Sequence, residues 1–174
     1  MLGAVMFVFL FILRAQQGGF GWPLAVQSGL AAVLLVFARN PDSRAPLRER
    51  LLAWLSAFLP MGMEVGRIQA WAGLPGLTLT IWAMLALGRS FDVAPASRSL
   101  VMSGPYSLVR HPMYAGELLS LIGILLLAPT AQNFGIFVLF VLALLMRIRA
   151  EEKVVAGYEQ YAVLVPWRLL PYVW

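Results

Sequence analysis

Apolar residues fall into six blocks along the chain: Met1 to Leu13, Trp22 to Ala38, Leu51 to Met63, Trp71 to Leu87, Met113 to Ala128, and Phe134 to Met146. A membrane core roughly 30 Å thick takes about 20 helical residues, so these blocks cross it when flanking glycines, arginines and aromatic residues extend the helices. The pattern predicts an all-α fold, a polytopic membrane helix bundle with five or six transmembrane segments. The second, fourth and fifth blocks are the clearest spans. The first reaches only about 20 Å at roughly 1.5 Å per residue, which suits a re-entrant or surface helix as well as a sixth span. No basic residue precedes it, as a signal peptide would require.

The polar stretches between blocks differ in length. Arg39 to Arg50 has two prolines and mixed charge, as expected of a connection with an interfacial anchor, and Glu64 and Arg67 have the spacing of a local helical ion pair. Two longer polar segments remain, Gly88 to Pro112 and Arg147 to the C-terminus. The apolar blocks between these two are joined by "PTAQN", short enough to force an antiparallel hairpin. The hairpin predicts that Arg110, His111 and Glu117 at the entry of one helix face Arg147, Arg149, Glu151 and Glu152 at the exit of the next.

Composition sharpens this picture. Of 174 residues 61% are hydrophobic and 12% charged, with a mean hydropathy of +0.81, more apolar surface than a soluble domain of this size hides. If all six blocks cross, eleven basic side chains fall on the side of the termini and only Arg14 and Arg67 on the other. That asymmetry predicts an integral protein of a prokaryotic cytoplasmic membrane with its catalytic region in the cytoplasm. The net charge of +5 then reflects arginines at membrane borders, with no basic groove for nucleic acid. The lack of cysteine excludes disulfides, thiolate metal sites and a cysteine nucleophile, and a single histidine excludes a multi-histidine metal site. No metal is expected. No repeat or long linker divides the chain, so residues 1–174 are expected to form one domain, with N-terminal spans over 1–88 and a catalytic region over 89–174.

The densest chemistry lies in "SGPYSLVRHPMYAGE", Ser103 to Glu117. Gly104 and Pro105 read as a turn, and Pro112 disfavours a helical His111 and suits the first position of a helix. The N–H groups of Met113, Tyr114 and Ala115 would then be open to a carboxylate or phosphate, with the planar charge of Arg110 beside them. Glu117, about one turn in, needs a proton, an arginine or a bound cation. Adjacent Glu151 and Glu152 cannot both point inward on a regular helix. One suits a ligand ammonium or hydroxyl, and the other water, Arg147 or Lys153. Such a cluster grips a zwitterion. Plainer roles stand beside each: His111 as a backbone cap, Arg147 and Arg149 as markers of a helix end, Glu117 as interhelical glue, and the tyrosines as interfacial anchors.

These residues resemble a known family. "SGPYSLVRHPMYAG" is similar to the cofactor-side signature of the isoprenylcysteine carboxyl methyltransferases, which share features with membrane phospholipid and thiol methyltransferases. "RIRAEEKVVAGYEQYAVLVPWRLLP" resembles that family's second signature, and the likeness runs from Ser99 to Pro171. It implies S-adenosyl-L-methionine as cofactor. Tyr106, Arg110, His111, Pro112, Tyr114, Glu151, Glu152, Tyr158 and Tyr161 are implied to bind it, and Arg149, Glu151, Glu152 and Glu117 to serve in catalysis. The implied partners are a hydrophobic or lipid-like methyl acceptor and membrane lipids, with the acceptor group a carboxylate or thiol. One departure stands out. Only "KVVAG" separates Glu152 from Tyr158, a lid shorter by about a turn, which leaves room for a wider pocket. Two other readings compete: an NADPH-dependent membrane reductase resembling the sterol reductases, which share an Arg-His-Pro turn, and a noncatalytic module that binds a lipid or a partner helix.

Overall fold

The computed structural model describes residues 2–16 and 21–174, apart from the side chains of Gly21, Arg67 and Gln69. The Glu64–Arg67 pair thus lies outside the described residues. Helices dominate: α1 (Leu2–Gln16), α2 (Gly21–Val36), α3 (Leu47–Phe58), α4 (Arg67–Ala72), α5 (Leu74–Leu87), α6 (Pro112–Leu127), α7 (Ala131–Val154) and α8 (Tyr158–Leu164). Two short strands, β1 (Ser43–Arg44) and β2 (Ala96–Ser97), pair antiparallel with Ser43 opposite Ser97.

The expected bundle of five or six spans is not what the chain forms. Among the described residues one helix, α7, is long and apolar enough to cross a membrane. Its 24 residues rise about 36 Å, whereas α1, α2, α3, α5 and α6 have 12 to 16 residues and rise only about 18–24 Å. The breaks have local causes. Trp71 to Leu87, read as a continuous span, is divided at Gly73, where α4 stops and α5 begins with Pro75 in its first turn. Leu51 to Met63 gives way at Pro60 to a 3-10 turn, Leu59–Gly62. Conversely, the short block Phe134 to Met146 gains turns at both ends, because neither Ala131–Asn133 nor Arg147–Val154 contains a helix breaker. The sorting of basic residues to two sides of a bilayer depended on the crossings and falls with them. Large apolar side chains do remain outside, and on α7 Leu139, Leu142 and Met146 are each more than half exposed.

Two features position the site. Helices α4 and α5 approach α6 backbone to backbone: a Cβ added at Gly116 would run into Gly76 O and the backbone of Thr80 on α5, and one at Gly123 into Ala72 O on α4. Only glycine permits that approach. The α6–α7 connection is pinned at its far end by Thr130, whose side chain accepts the Asn133 N–H at 3.2 Å. The fully buried Asn133 amide in turn donates to Glu64 O and Ala128 O, at 3.1 and 2.9 Å. The hairpin therefore returns α7 alongside α6. Buried Met84, Tyr114, Phe140, Leu144 and Ile148 form its core.

Candidate functional site

His111 caps α6 at φ −127° and ψ 58°, outside the helical region as its place before Pro112 requires. Its backbone N–H donates to Arg168 O at 2.9 Å, and that of Arg110 to Trp167 O at 2.8 Å. The C-terminal tail is thus laced along the entry to α6. The N–H of Ala115, expected to be open to an anion, donates to His111 O at 3.0 Å.

The end of α7 closes on this turn. Nδ1 of His111 lies 3.6 Å from Glu151, and Nε2 lies 3.5 Å from Glu152 and 2.9 Å from the Tyr158 hydroxyl. The imidazole is stacked between Tyr114 and Tyr158, with ring centroids at 5.6 and 6.1 Å. The Tyr114 hydroxyl donates to Glu151. The Tyr158 hydroxyl donates to Glu152 at 3.1 Å, and Arg168 donates to both oxygens of Glu152, at 2.7 and 3.0 Å. Arg110 stands 3.5 Å from Glu152 with its guanidinium over the Tyr158 ring. The expectation that the two glutamates part company is therefore corrected. Both reach His111, one toward each ring nitrogen, and the partner of Glu152 is Arg168 rather than Arg147 or Lys153.

Charge follows from this geometry. Burial by itself would push the His111 imidazolium down, but hydrogen bonds to Glu151 and then Glu152 prevail and hold its pKa above the ordinary value. An imidazolium donates from Nε2 to the Tyr158 oxygen, which leaves the Tyr158 proton for Glu152. Tyr158 is pushed far up by burial and by the neighbouring Glu152 charge, and burial raises Tyr161 to about 12. Both stay neutral donors.

Below this layer Arg147 and Glu117 face each other at 3.8 Å. Arg147 is 2% exposed; it donates to Val93 O at 3.1 Å and lies 4.6 Å from the centroid of the Tyr114 ring. Arg149, two positions on and about 200° around the helix, is exposed and outside the cluster. The resemblance implied catalysis for Arg149 and named no such role for Arg147, whereas the structure buries Arg147 in the cluster and leaves Arg149 outside it. Their place on the helix separates them.

The side chains enclose a cavity of about 110 Å³ lined by Tyr106, Arg110, His111, Tyr114, Glu151 and Tyr158, among others. Its roof comes from the polar segment Gly88 to Pro112, through residues 90–101 that were not singled out as site residues. There Arg98 pairs with Asp92 at 2.8 Å, and Arg39 reaches across from the β1 side to Ser99 at 2.8 Å. Gly157, at φ +75°, turns the chain so that α8 begins at Tyr158, and both lid tyrosines are buried, with the Tyr161 hydroxyl donating to Tyr106 O at 2.6 Å. Beneath lies a second chamber of about 400 Å³ between α1, α2, α5, α6 and α7, apolar but for a few groups that include Glu117, Arg147 and Arg14. Nε of Arg110, Oε2 of Glu117 and Nε of Arg147 are buried without a hydrogen-bond partner. Among the described residues no three His, Cys, Asp or Glu side chains are grouped to hold a metal ion.

A helical hairpin thus carries a compact polar cavity at its mouth and borders a larger apolar chamber. Residues 72–157, just under half of the chain, match the isoprenylcysteine carboxyl methyltransferase (ICMT) family. The match takes in His111, Glu117, Glu151 and Glu152 and stops at Gly157, one residue before Tyr158. The chain is also 34% identical over 99 residues to the uncharacterized protein YpbQ of Bacillus subtilis (strain 168), a match covering 51% of this chain and 58% of that protein. The chain thus spans little more than half the length of that relative.

Proposed function

We propose that the protein is a membrane-associated methyltransferase that binds S-adenosyl-L-methionine in the cavity around His111 and Glu151 and methylates a hydrophobic acceptor whose chain occupies the chamber below. The convergence of Arg110, His111, Glu151 and Tyr158 in one cavity, within or bordering the stretch that matches the ICMT family, carries this reading.

The donor set fits such a cofactor. The partnerless Nε of Arg110 is a buried donor in need of an acceptor, which a ligand carboxylate supplies. Glu151 and Asp92 offer negative charge to an ammonium and a sulfonium, Tyr106 offers an aromatic wall, and Leu100, Val101 and Val155 offer apolar walls to a flat base. Pro112 fixes the turn that holds Arg110 and His111 in line. The cavity, about 110 Å³, is smaller than the roughly 300–1,000 Å³ of typical ligand sites, so binding requires its lining side chains to move apart.

When bound, the cofactor supplies an electrophilic methyl group on a positively charged sulfur. An acceptor lone pair forms the new bond to that carbon, and the electron pair of the broken carbon–sulfur bond stays on the cofactor's sulfur. A carboxylate or thiolate acceptor therefore needs no base. For a thiol or hydroxyl, the buried Oε2 of Glu117, which accepts no hydrogen bond and faces Arg147 at 3.8 Å in the wall of the apolar chamber, is the group to take the proton. Glu152 acts by positioning: it holds His111, Tyr158 and Arg168 together and so closes the cavity to water. The exposed Arg149 takes no part. The apolar flank of α7 suits contact with membrane lipid.

The test is transfer from methyl-labelled S-adenosyl-L-methionine, with the purified full chain and extracted membrane lipids, prenylated thiols and small thiols as acceptors. Label is expected in an organic-soluble product, undiminished by excess NADPH. Failure of the folded chain to bind the labelled cofactor would end the proposal.

A further inference from the structure

Among the described residues, one side chain lines both the polar cavity and the apolar chamber: Met113. Beside it the wall includes Tyr114, on the cavity side, and Arg147, on the chamber side, with the guanidinium 4.6 Å from the ring centroid, and the segment 91–94, where Asp92 and Ala94 line the cavity and Phe91 and Val93 the chamber. The Tyr114–Arg147 pair is held fast. Tyr114 is tied to Glu151, and Arg147 to Val93 O and Glu117. Met113 has polar anchors only through its backbone, as the second residue of α6 and by the Thr80 hydroxyl donating to its carbonyl oxygen at 3.5 Å, while its side chain packs in the apolar core. Its thioether arm, with three rotatable bonds and no polar partner, is the soft element of the wall.

We propose that Met113 is the partition between a cofactor site and an acceptor site, and that its side chain determines which acceptors reach the cofactor. The proposal rests on the reading of the two cavities given above. Placed one atom layer from each site, the arm meets whatever occupies either. Displacing it joins the two spaces without disturbing the Tyr114–Arg147 pair. Its length, and not its polarity, is what matters: a shorter chain opens the passage to bulkier acceptors, and a ring closes it.

The chain has no cysteine, so a single introduced thiol reports without background. Met113→Cys is compared with Leu100→Cys, which lines the polar cavity, and Ile124→Cys, which lines the chamber. Alkylation is timed with S-adenosyl-L-methionine alone and with hexadecanoate alone. Each ligand at roughly ten times its Kd is expected to slow the reaction of Met113→Cys about tenfold. The cofactor is expected to protect Leu100→Cys and not Ile124→Cys, and the fatty chain the reverse. Protection of Met113→Cys by one ligand only, with both reference thiols responding, overturns the partition and leaves the functional reading intact. Absence of cofactor protection even at Leu100→Cys overturns both. Should Met113→Cys not fold, Met113→Phe replaces it, and the ratio of methyl transfer to a long and a short alkyl acceptor is expected to shift about tenfold. An unchanged ratio, with cofactor binding retained, overturns the proposal.

Discussion

The mouth of the α6–α7 hairpin and the chamber beneath it are built on opposite principles. At the mouth almost every polar group is already engaged: Glu152 alone is approached by Arg110, His111, Tyr158 and Arg168. In the chamber a large apolar space is held open around a few charges that remain partly unmet, Glu117 and Arg147. The first region is rigid through hydrogen bonds that reinforce one another. The second is rigid through close helix packing and leaves room for a guest. A site that must orient a charged molecule against an apolar one needs both, and the two meet at the wall formed by Met113, Tyr114 and Arg147.

The contrast can be broken most severely at Glu152. Glu152→Gln strips Arg110 and Arg168 of their shared carboxylate, and loss of one partner from such a partly buried ion pair costs about 3–5 kcal/mol. A large fall in the midpoint of thermal unfolding is expected, together with loss of cofactor binding. On the chamber side, Arg147→Met should cost a comparable amount by isolating Glu117, whereas Arg149→Met, on the exposed face, should stay within about 0.5 kcal/mol. Equal effects of the two arginine substitutions on denaturant unfolding would refute the separation drawn between them. Next in size is Gly116→Ala. Its Cβ would meet Gly76 O and the Thr80 backbone, so α5 and α6 must part at a cost of about 1–3 kcal/mol, read by the same unfolding curves. The smallest effect sharpens the picture of the mouth. Because the folded pKa of His111 is raised, its contribution to stability is complete below its ordinary value of about 6.5 and disappears as pH rises through the folded value. A pH series of unfolding midpoints should show that loss in the native chain and not in His111→Gln.

Much of the mouth could be read from residues alone, because its determinants are local or lie one hairpin apart. Pro112 marked the start of α6, and "PTAQN" was too short for anything but a reversal, so His111 and Glu151 had to meet. The partner of Glu152 was out of reach for a different reason. Arg168 arrives through two backbone hydrogen bonds between a turn and a tail, and irregular pairing of that kind leaves no periodic signature. The same holds for the roof, where strands of two residues bring Arg39 to Ser99. The fold class failed on length. Block-counting treats hydropathy as continuous, whereas Gly73 and Pro60 end helices inside apolar runs, and Phe134 to Met146, no longer than the first and third runs, made the longest helix because its polar flanks lack breakers. Hydropathy measures affinity for an apolar phase; the backbone decides how far a helix reaches.

The central claim is that the cavity formed where His111 meets Glu151 holds the cofactor. Equilibrium dialysis of labelled S-adenosyl-L-methionine against the purified full chain and against Glu151→Gln tests it most directly. The account predicts saturable binding by the native chain and at least about tenfold weaker binding by the substituted one, the loss of a charged hydrogen bond. Equal affinities in two folded proteins, or no binding to either, would contradict it.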